Sequence, residues 1–232
     1  MKRFWTNSSP SRQGGGYMIL LDRSPVKLPS GSPLTVPFAG LAEAIAQEWR
    51  QTGPVFTAND LPLTQLVCTA QERIAPQRAE IVQSLVAYGL NDLLCYRAES
   101  PQALVARQHA AWDCWLEWFE ATHGIGLITT NGLMPVNQLP WTSDKLGALL
   151  SRQTDYQLAA LGLLIPALGS FVLGVAVAQG ALSAELACSH AALDELWQAE
   201  QWSEDAEDKQ RRAALLADVK HTVHFLALVG TI

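Results

Sequence analysis

Residues 156–179 read YQLAALGLLIPALGSFVLGVAVAQ, and no charged residue occurs between Asp155 and Glu185. An apolar run of about twenty residues can cross a bilayer, so membrane insertion is one alternative. Glycine and proline interrupt this run, however, and basic residues do not crowd either flank. We therefore predict two buried helices that are separated near Gly169-Ser170, and no insertion into a membrane.

The rest of the C-terminal part also carries the pattern of helices. From Gln77 onward strand signals almost vanish, and aromatic residues recur at helical spacing after Ser100-Pro101, which is typical of a buried helix face. Ser183 is positioned to cap a helix that runs through Trp197. The final helix begins near Glu204 and carries an apolar face: Leu215, Leu216, Val219, Val223 and Leu226.

The N-terminal part predicts a small mixed domain. Residues 1–16 are polar and glycine-rich, which indicates a flexible lead-in. Three β-prone runs predict a short antiparallel β-meander: residues 17–21, 26–28 and 34–36. Two amphipathic helices follow, the second broken at Pro76. We therefore predict the α+β class, with a small N-terminal α/β domain over residues 17–80 and a larger all-α helical domain over residues 81–232.

Composition indicates a folded, acidic protein and argues against one class of partner. The 232 residues are 49% hydrophobic and 16% charged, with a net charge of −6, which is typical of a chain with a substantial core. A nucleic-acid-binding surface needs a basic stripe, and none is visible, so we predict no nucleic-acid partner. Four widely spaced cysteines lack zinc-finger spacing and are typical of reduced core residues: Cys68, Cys95, Cys114 and Cys188.

Residues 193–208, LDELWQAEQWSEDAED, are the first place to look for a site. On a helix, Trp197, Glu200 and Glu204 fall on one face, so an apolar stripe leads directly into two carboxylates. Either this stripe ends in solvent, or a partner docks on it. Ser203 followed by acids is also the usual start of a new helix, so these residues alone leave both interpretations open.

A search for catalytic chemistry finds no coherent constellation. The sequence has neither a phosphate-binding glycine loop nor a serine elbow. Asp218, His221 and His224 have the spacing of metal ligands on a helix, but no second ligand cluster accompanies them. We predict a binding protein without catalytic residues, metal or cofactor. The alternative is a small soluble enzyme that uses Glu200 and Glu204, or the two histidines, on its C-terminal helices.

Four blocks of sequence, in order, carry a resemblance to a known family. They are Arg3-Phe4-Trp5; residues 61–66 (LPLTQL); residues 88–99 (YGLNDLLCYRAE) with residues 104–108 (LVARQ) and Trp112-Asp113; and the acidic tryptophan stretch at residues 194–205. Together they span nearly the whole chain. The sequence thus resembles the assembly chaperones for the catalytic head of the F-type ATP synthase, in the family whose client is the α subunit.

This resemblance implies a fold, a function and a site. It implies a small α/β domain followed by a helical domain, and a chaperone that shields the apolar assembly surface of the free α subunit until the β subunit replaces it. It implies no nucleotide chemistry, and we expect no small-molecule substrate. Glu200 is the first candidate for the family's C-terminal acidic residue and Glu204 the second, with Trp197 and Trp202 as apolar contacts. The lack of a long Arg- and Ser-rich presequence favours the bacterial cytoplasm; in a eukaryote we expect the mitochondrial matrix.

Overall fold

A computed structural model describes residues 1–132, 134–202 and 205–232. The predicted α+β class is confirmed, because a short antiparallel sheet lies near the N-terminus and helices make up most of the remaining described chain. The chain divides into two compact units. Unit 1 comprises Met1–Arg78, Thr154–Ala160 and His224–Thr231, and unit 2 comprises Ala79–Gln153, Leu161–Val223 and Ile232.

The sheet of unit 1 begins earlier than the sequence predicts. Strand β1 (Ser8–Gln13) pairs antiparallel with β2 (Gly16–Leu21), and Gly14 closes the hairpin with a φ of +56° that suits glycine. Strands β3 (Ser24–Pro25) and β4 (Thr35–Val36) also pair with β2. The region predicted as a flexible lead-in therefore contains a strand. Its side chains are polar except for Pro10, so backbone pairing rather than an apolar alternation places it in the sheet.

The helices of the N-terminal part follow the predicted order, with one difference. Helix α1 (Ala39–Gln51) is followed by α2 (Pro62–Cys68), which continues through a π-helical turn (Thr69–Ile74) into α3 (Ala75–Leu90). The predicted break at Pro76 is a kink, because the next residue has φ −119° and ψ 23°. The proline therefore bends the helical path without ending it.

Two later segments of the chain complete the core of unit 1. The Tyr156 ring packs edge-on against Phe38, with 5.4 Å between the ring centroids, and lies 6.3 Å from the ring of Phe225. Phe225 is fully buried and Leu226 is 2% exposed. The side chain of Gln157 also donates hydrogen bonds to carbonyl groups at the end of the last helix. Residues far apart in sequence therefore share this core.

The further helices of the described chain are α4 (Gln102–His123), α5 (Thr142–Ser151), α6 (Asp155–Leu168), α7 (Phe171–Ala178), α8 (Ala184–Ala191), α9 (Leu193–Trp202) and α10 (Ala206–Val229). Strands β5 (Tyr96–Arg97) and β6 (Thr130–Asn131) form a parallel pair. On α10, Val219 is buried within the predicted apolar face, but Val223 is 38% exposed and Thr222 is buried instead. Among the helices described, none combines the length and the apolar character that a membrane span requires.

The predicted break between two buried helices is confirmed at Gly169-Ser170. Gly169 has a φ of +62°, and the hydroxyl of Ser170 accepts a hydrogen bond from the backbone N–H of Leu173 at 3.0 Å, which caps α7. Asp92 is fully buried, and its carboxylate accepts hydrogen bonds from the Ser170 hydroxyl at 2.8 Å and from the Val172 N–H at 3.0 Å. The apolar run therefore folds as α6 and α7, with a buried carboxylate fixing the turn between them.

Candidate functional site

The predicted site lies on α9, which packs against α4 within unit 2. Asp194 and Glu195 lie in the first turn of α9, where carboxylates stabilise the positive end of a helix. The Gln108 amide on α4 donates to Asp194 at 2.8 Å, and the Trp112 indole N–H donates to the carbonyl oxygen of His190 at 3.0 Å, just before α9. Helix α4 thus fixes the position of the exposed face of α9.

Arg107 on α4 joins two of the predicted contact residues. Its Nη1 donates to both carboxylate oxygens of Glu200, at 2.8 and 2.7 Å, and its guanidinium carbon lies 5.9 Å from the centre of the Trp197 ring, within cation–π range. The side chains of Arg107 and Glu200 are 39% and 51% exposed, and Trp197 is half-buried. We call these three residues the α9 site. Its ion pair adds little to stability, about 0–1 kcal/mol, and a partner can reach it.

The α9 site contains two of the four residues predicted from the sequence. Trp202 ends α9, but its side chain lies outside the described part of the chain, as does the whole of Glu204. Sequence reasoning missed Arg107, which is 93 residues from Glu200. The available signal was the place of Arg107 in the LVARQ block that contributes to the family resemblance.

Two tryptophans on α4, beyond the α9 site, are partly accessible to solvent. Trp112 and Phe119 are fully buried, as the predicted aromatic face requires, whereas Trp115 and Trp118 are half-buried. The rings of this second pair lie 6.0 Å apart, and neither indole N–H donates a hydrogen bond to a described residue. We call Trp115 and Trp118 the tryptophan stripe. Half-buried tryptophans with a free donor are typical of protein interfaces.

The described residues place no metal ligands together. No group of three or more His, Cys, Asp or Glu side chains among them could hold a metal ion, and His221 and His224 lie exposed on α10. All four cysteines lie within the described residues and are free. Burial raises the pKa of the Cys95 thiol to about 12, which disfavours its reactive thiolate. Cys114 is not the core residue that we predict, because it lies exposed on the outer side of α4.

Comparisons with known proteins identify the family. A family model described as ATP12 chaperone protein matches residues 2–120. The chain is 26% identical to the mitochondrial protein atp12 of Schizosaccharomyces pombe, in a match that covers 96% of this chain and 84% of that protein. It is 36% identical to the crystal structure of Atp12 from Paracoccus denitrificans, with a TM-score of 0.92 over 98% of this chain and 97% of that one. The chain therefore belongs to the ATP12 chaperone protein family.

Proposed function

We propose that this protein is an assembly chaperone for the catalytic head of the F-type ATP synthase. It binds the free α subunit and shields the apolar assembly surface of that subunit until the β subunit replaces it. The observations that carry this proposal are the family match over residues 2–120 and the likeness, over 98% of this chain, to the crystal structure of Atp12 from Paracoccus denitrificans. The protein acts by binding and not by catalysis, in the cytoplasm of a bacterium or in the mitochondrial matrix of a eukaryote.

The α9 site supports this proposal by its chemistry. A chaperone surface needs an apolar centre to cover the client and a charged rim to orient it, and here the half-buried Trp197 ring lies beside Arg107 and Glu200. Because the ion pair is exposed to solvent, a charged group of the client can replace either member at low cost. Such exchange suits a chaperone, which must release its client when assembly proceeds.

Co-expression with the cognate α subunit tests the proposal. We expect the α subunit to become more soluble and to co-purify with the chain, and the β subunit to displace the chain when it is added to the purified complex. If the α subunit shows no change in solubility and does not co-purify, the proposed client is wrong.

Charge reversal at Glu200 tests the site itself. Glu200→Lys removes the partner of Arg107 and places two positive groups together, so we expect weaker recovery of soluble α subunit with little change in melting temperature. Glu185→Lys is the matched control, because Glu185 on α8 forms a similarly exposed ion pair, 2.8 Å from Lys220 on α10, and is not one of the residues of the α9 site. We expect the control to bind the client normally.

Exchanging the charges of Arg107 and Glu200 shows whether Glu200 contacts the client or only stabilises the packing of α9 against α4. Arg107→Glu combined with Glu200→Arg restores an ion pair of reversed polarity. If Glu200 contacts the client, the double variant still binds poorly. If the double variant recovers full binding, the pair serves only to hold α9 against α4, and the proposed contact is rejected.

A further inference from the structure

A second accessible feature of unit 2 lies at the C-terminal end of α4. Thr122 and His123 line a recess of about 400 Å³ together with Lys145 and Arg152. Lys145 and Arg152 are seven residues apart along α5 and its end, so they share one helix face. Lys145 donates a hydrogen bond to the carbonyl oxygen of Gly124 at 2.6 Å, which holds the amine beside the end of α4.

The recess is a positive site in an acidic protein. The chain has a net charge of −6, yet no aspartate or glutamate is among the described residues that line the recess. Lys145 uses one of its three N–H donors, and Arg152 is exposed and makes no hydrogen bond or ion pair with a described residue. Two cations that have no carboxylate partner in the described part of the chain attract an anionic group from outside it.

The tryptophan stripe leads to this recess. The ring of Trp118 lies 5.7 Å from that of His123, which lines the recess, and Trp115 continues the stripe along α4. Both tryptophans offer an apolar ring and an indole N–H that donates to no described residue. Recess and stripe together therefore present apolar area and hydrogen-bond donors, so a matching partner supplies apolar side chains and oxygen acceptors.

We propose that the recess binds a carboxylate of an acidic, apolar segment of a client protein, while the tryptophan stripe covers the apolar side chains next to that carboxylate. Arg152 and Lys145 bind the carboxylate, and Trp118 and Trp115 form the apolar contact. This inference rests on the proposed function, because it takes a protein client as the partner. It adds a site on α4 and α5 to the contact proposed on α9.

Titration calorimetry of the full chain tests the recess with defined probes. The acidic probe is the acetylated peptide amide Leu-Asp-Phe-Glu-Leu, and its neutral counterpart carries Asn and Gln in place of the two acids. We expect the acidic peptide to bind at least about tenfold more tightly, as the loss of a charge-assisted hydrogen bond predicts. Equal affinities for the two peptides would overturn the proposal.

Two matched arginine variants show whether the acidic peptide binds at the recess. Arg152→Gln removes a side chain without described partners, so the fold is preserved, and we expect about tenfold weaker binding of the acidic peptide. Arg23→Gln removes another exposed arginine, in unit 1, and leaves the affinity unchanged if the recess is the site. Equal losses in the two variants would mean general charge attraction and would reject the recess.

Competition by inorganic phosphate, added at constant ionic strength, shows whether the recess prefers a protein segment or a small free anion. We expect phosphate to compete weakly, because it cannot contact the tryptophan stripe. Full displacement of the peptide at a similar phosphate concentration would assign the recess to a small anion and overturn the proposal.

Burial lowers the pKa of His123, with partial compensation by the Gln179 side chain. A bound carboxylate should raise that pKa in an NMR titration.

The two proposals fail in different ways. If the peptides do not bind but the α subunit still co-purifies, the recess inference is wrong and the proposed function stands. If the acidic peptide binds at the recess but the α subunit does not co-purify, the proposed client is wrong and the site remains.

Discussion

Asp92 is a carboxylate that belongs to the interior of unit 2. It accepts hydrogen bonds from the Ser170 hydroxyl and from the N–H groups of Leu94 and Val172, which favour its charged form. Burial disfavours that form more strongly and raises the pKa of Asp92 to about 6. In the sequence this residue stands out only as part of the YGLNDLLCYRAE block. Its raised pKa depends on burial, which only the folded chain provides.

The raised pKa of Asp92 predicts an unusual pH dependence of stability. In the unfolded chain this carboxyl loses its proton near pH 4, whereas the folded chain holds the proton until about pH 6. The stabilisation from this group is therefore fully present below pH 4 and is lost as the pH rises through 6, by at most about 1.4 kcal/mol per pH unit.

Urea unfolding of the native chain and of Asp92→Asn, at several pH values, checks this expectation. The difference in free energy of unfolding between the two proteins isolates Asp92 from the other titrating groups. We expect the native chain to lose stability relative to the variant between about pH 4 and pH 6, and the difference to be constant above pH 7. A difference that does not change with pH would contradict the role given to burial.

At the scale of elements, the sequence predicts helices well and their close contacts poorly. The break at Gly169-Ser170 follows from residue types alone, because glycine and a capping serine end and start helices. Periodicity, by contrast, is a local signal. It does not show that Arg107 meets Glu200, and the polar strand β1 has no apolar alternation to detect.

Two glycines of the apolar run illustrate the same limit. A Cβ at Gly174 on α7 would lie 2.7 Å from the Ile165 side chain and 3.1 Å from the Ile165 backbone on α6, whereas a Cβ at Gly162 meets nothing within 4 Å. Both glycines interrupt the same sequence, yet only Gly174 permits a close approach of two helices.

Alanine substitution should therefore have different effects on stability at the two glycines. We expect Gly174→Ala to lower the free energy of unfolding by about 1–3 kcal/mol, because the new methyl group forces α6 and α7 apart. Gly162→Ala should leave stability unchanged or raise it by up to about 1 kcal/mol, because alanine favours a helix. Chemical unfolding followed by circular dichroism measures both, and equal effects would refute the close-contact explanation.

At the scale of the whole molecule, unit 1 is not one continuous piece of sequence. The predicted domain over residues 17–80 covers most of it, but Thr154–Ala160 and His224–Thr231 contribute residues to the same unit. The amphipathic pattern of a helix indicates which face is buried without naming what covers it. The sequence therefore places the end of α10 in the helical domain, whereas in the structure Phe225 packs with Tyr156 in unit 1.

Phe225→Ala should consequently weaken the N-terminal sheet, whose strands lie 189 to 217 residues earlier in the sequence. Phe225 is fully buried, and its truncation should cost about 3–5 kcal/mol. Val223→Ala, at a 38% exposed position two residues earlier, should change stability by about 0.5 kcal/mol or less. Hydrogen exchange of the β2 amides should accelerate only in the Phe225 variant; unchanged exchange there would show that the end of α10 does not support the sheet.

The exposure of Cys114 provides a route to a map of the client interface. Burial raises the pKa of all four thiols, to about 11 for Cys68 and Cys188 and to about 12 for Cys95. Access therefore decides which thiol is alkylated: Cys95 is buried, and Cys68 and Cys188 are half-buried. Cys114 is exposed and precedes Trp118 by one helical turn. A photoactivatable cross-linker coupled through maleimide to the natural chain would therefore label α4 selectively and capture whatever protein lies against the tryptophan stripe.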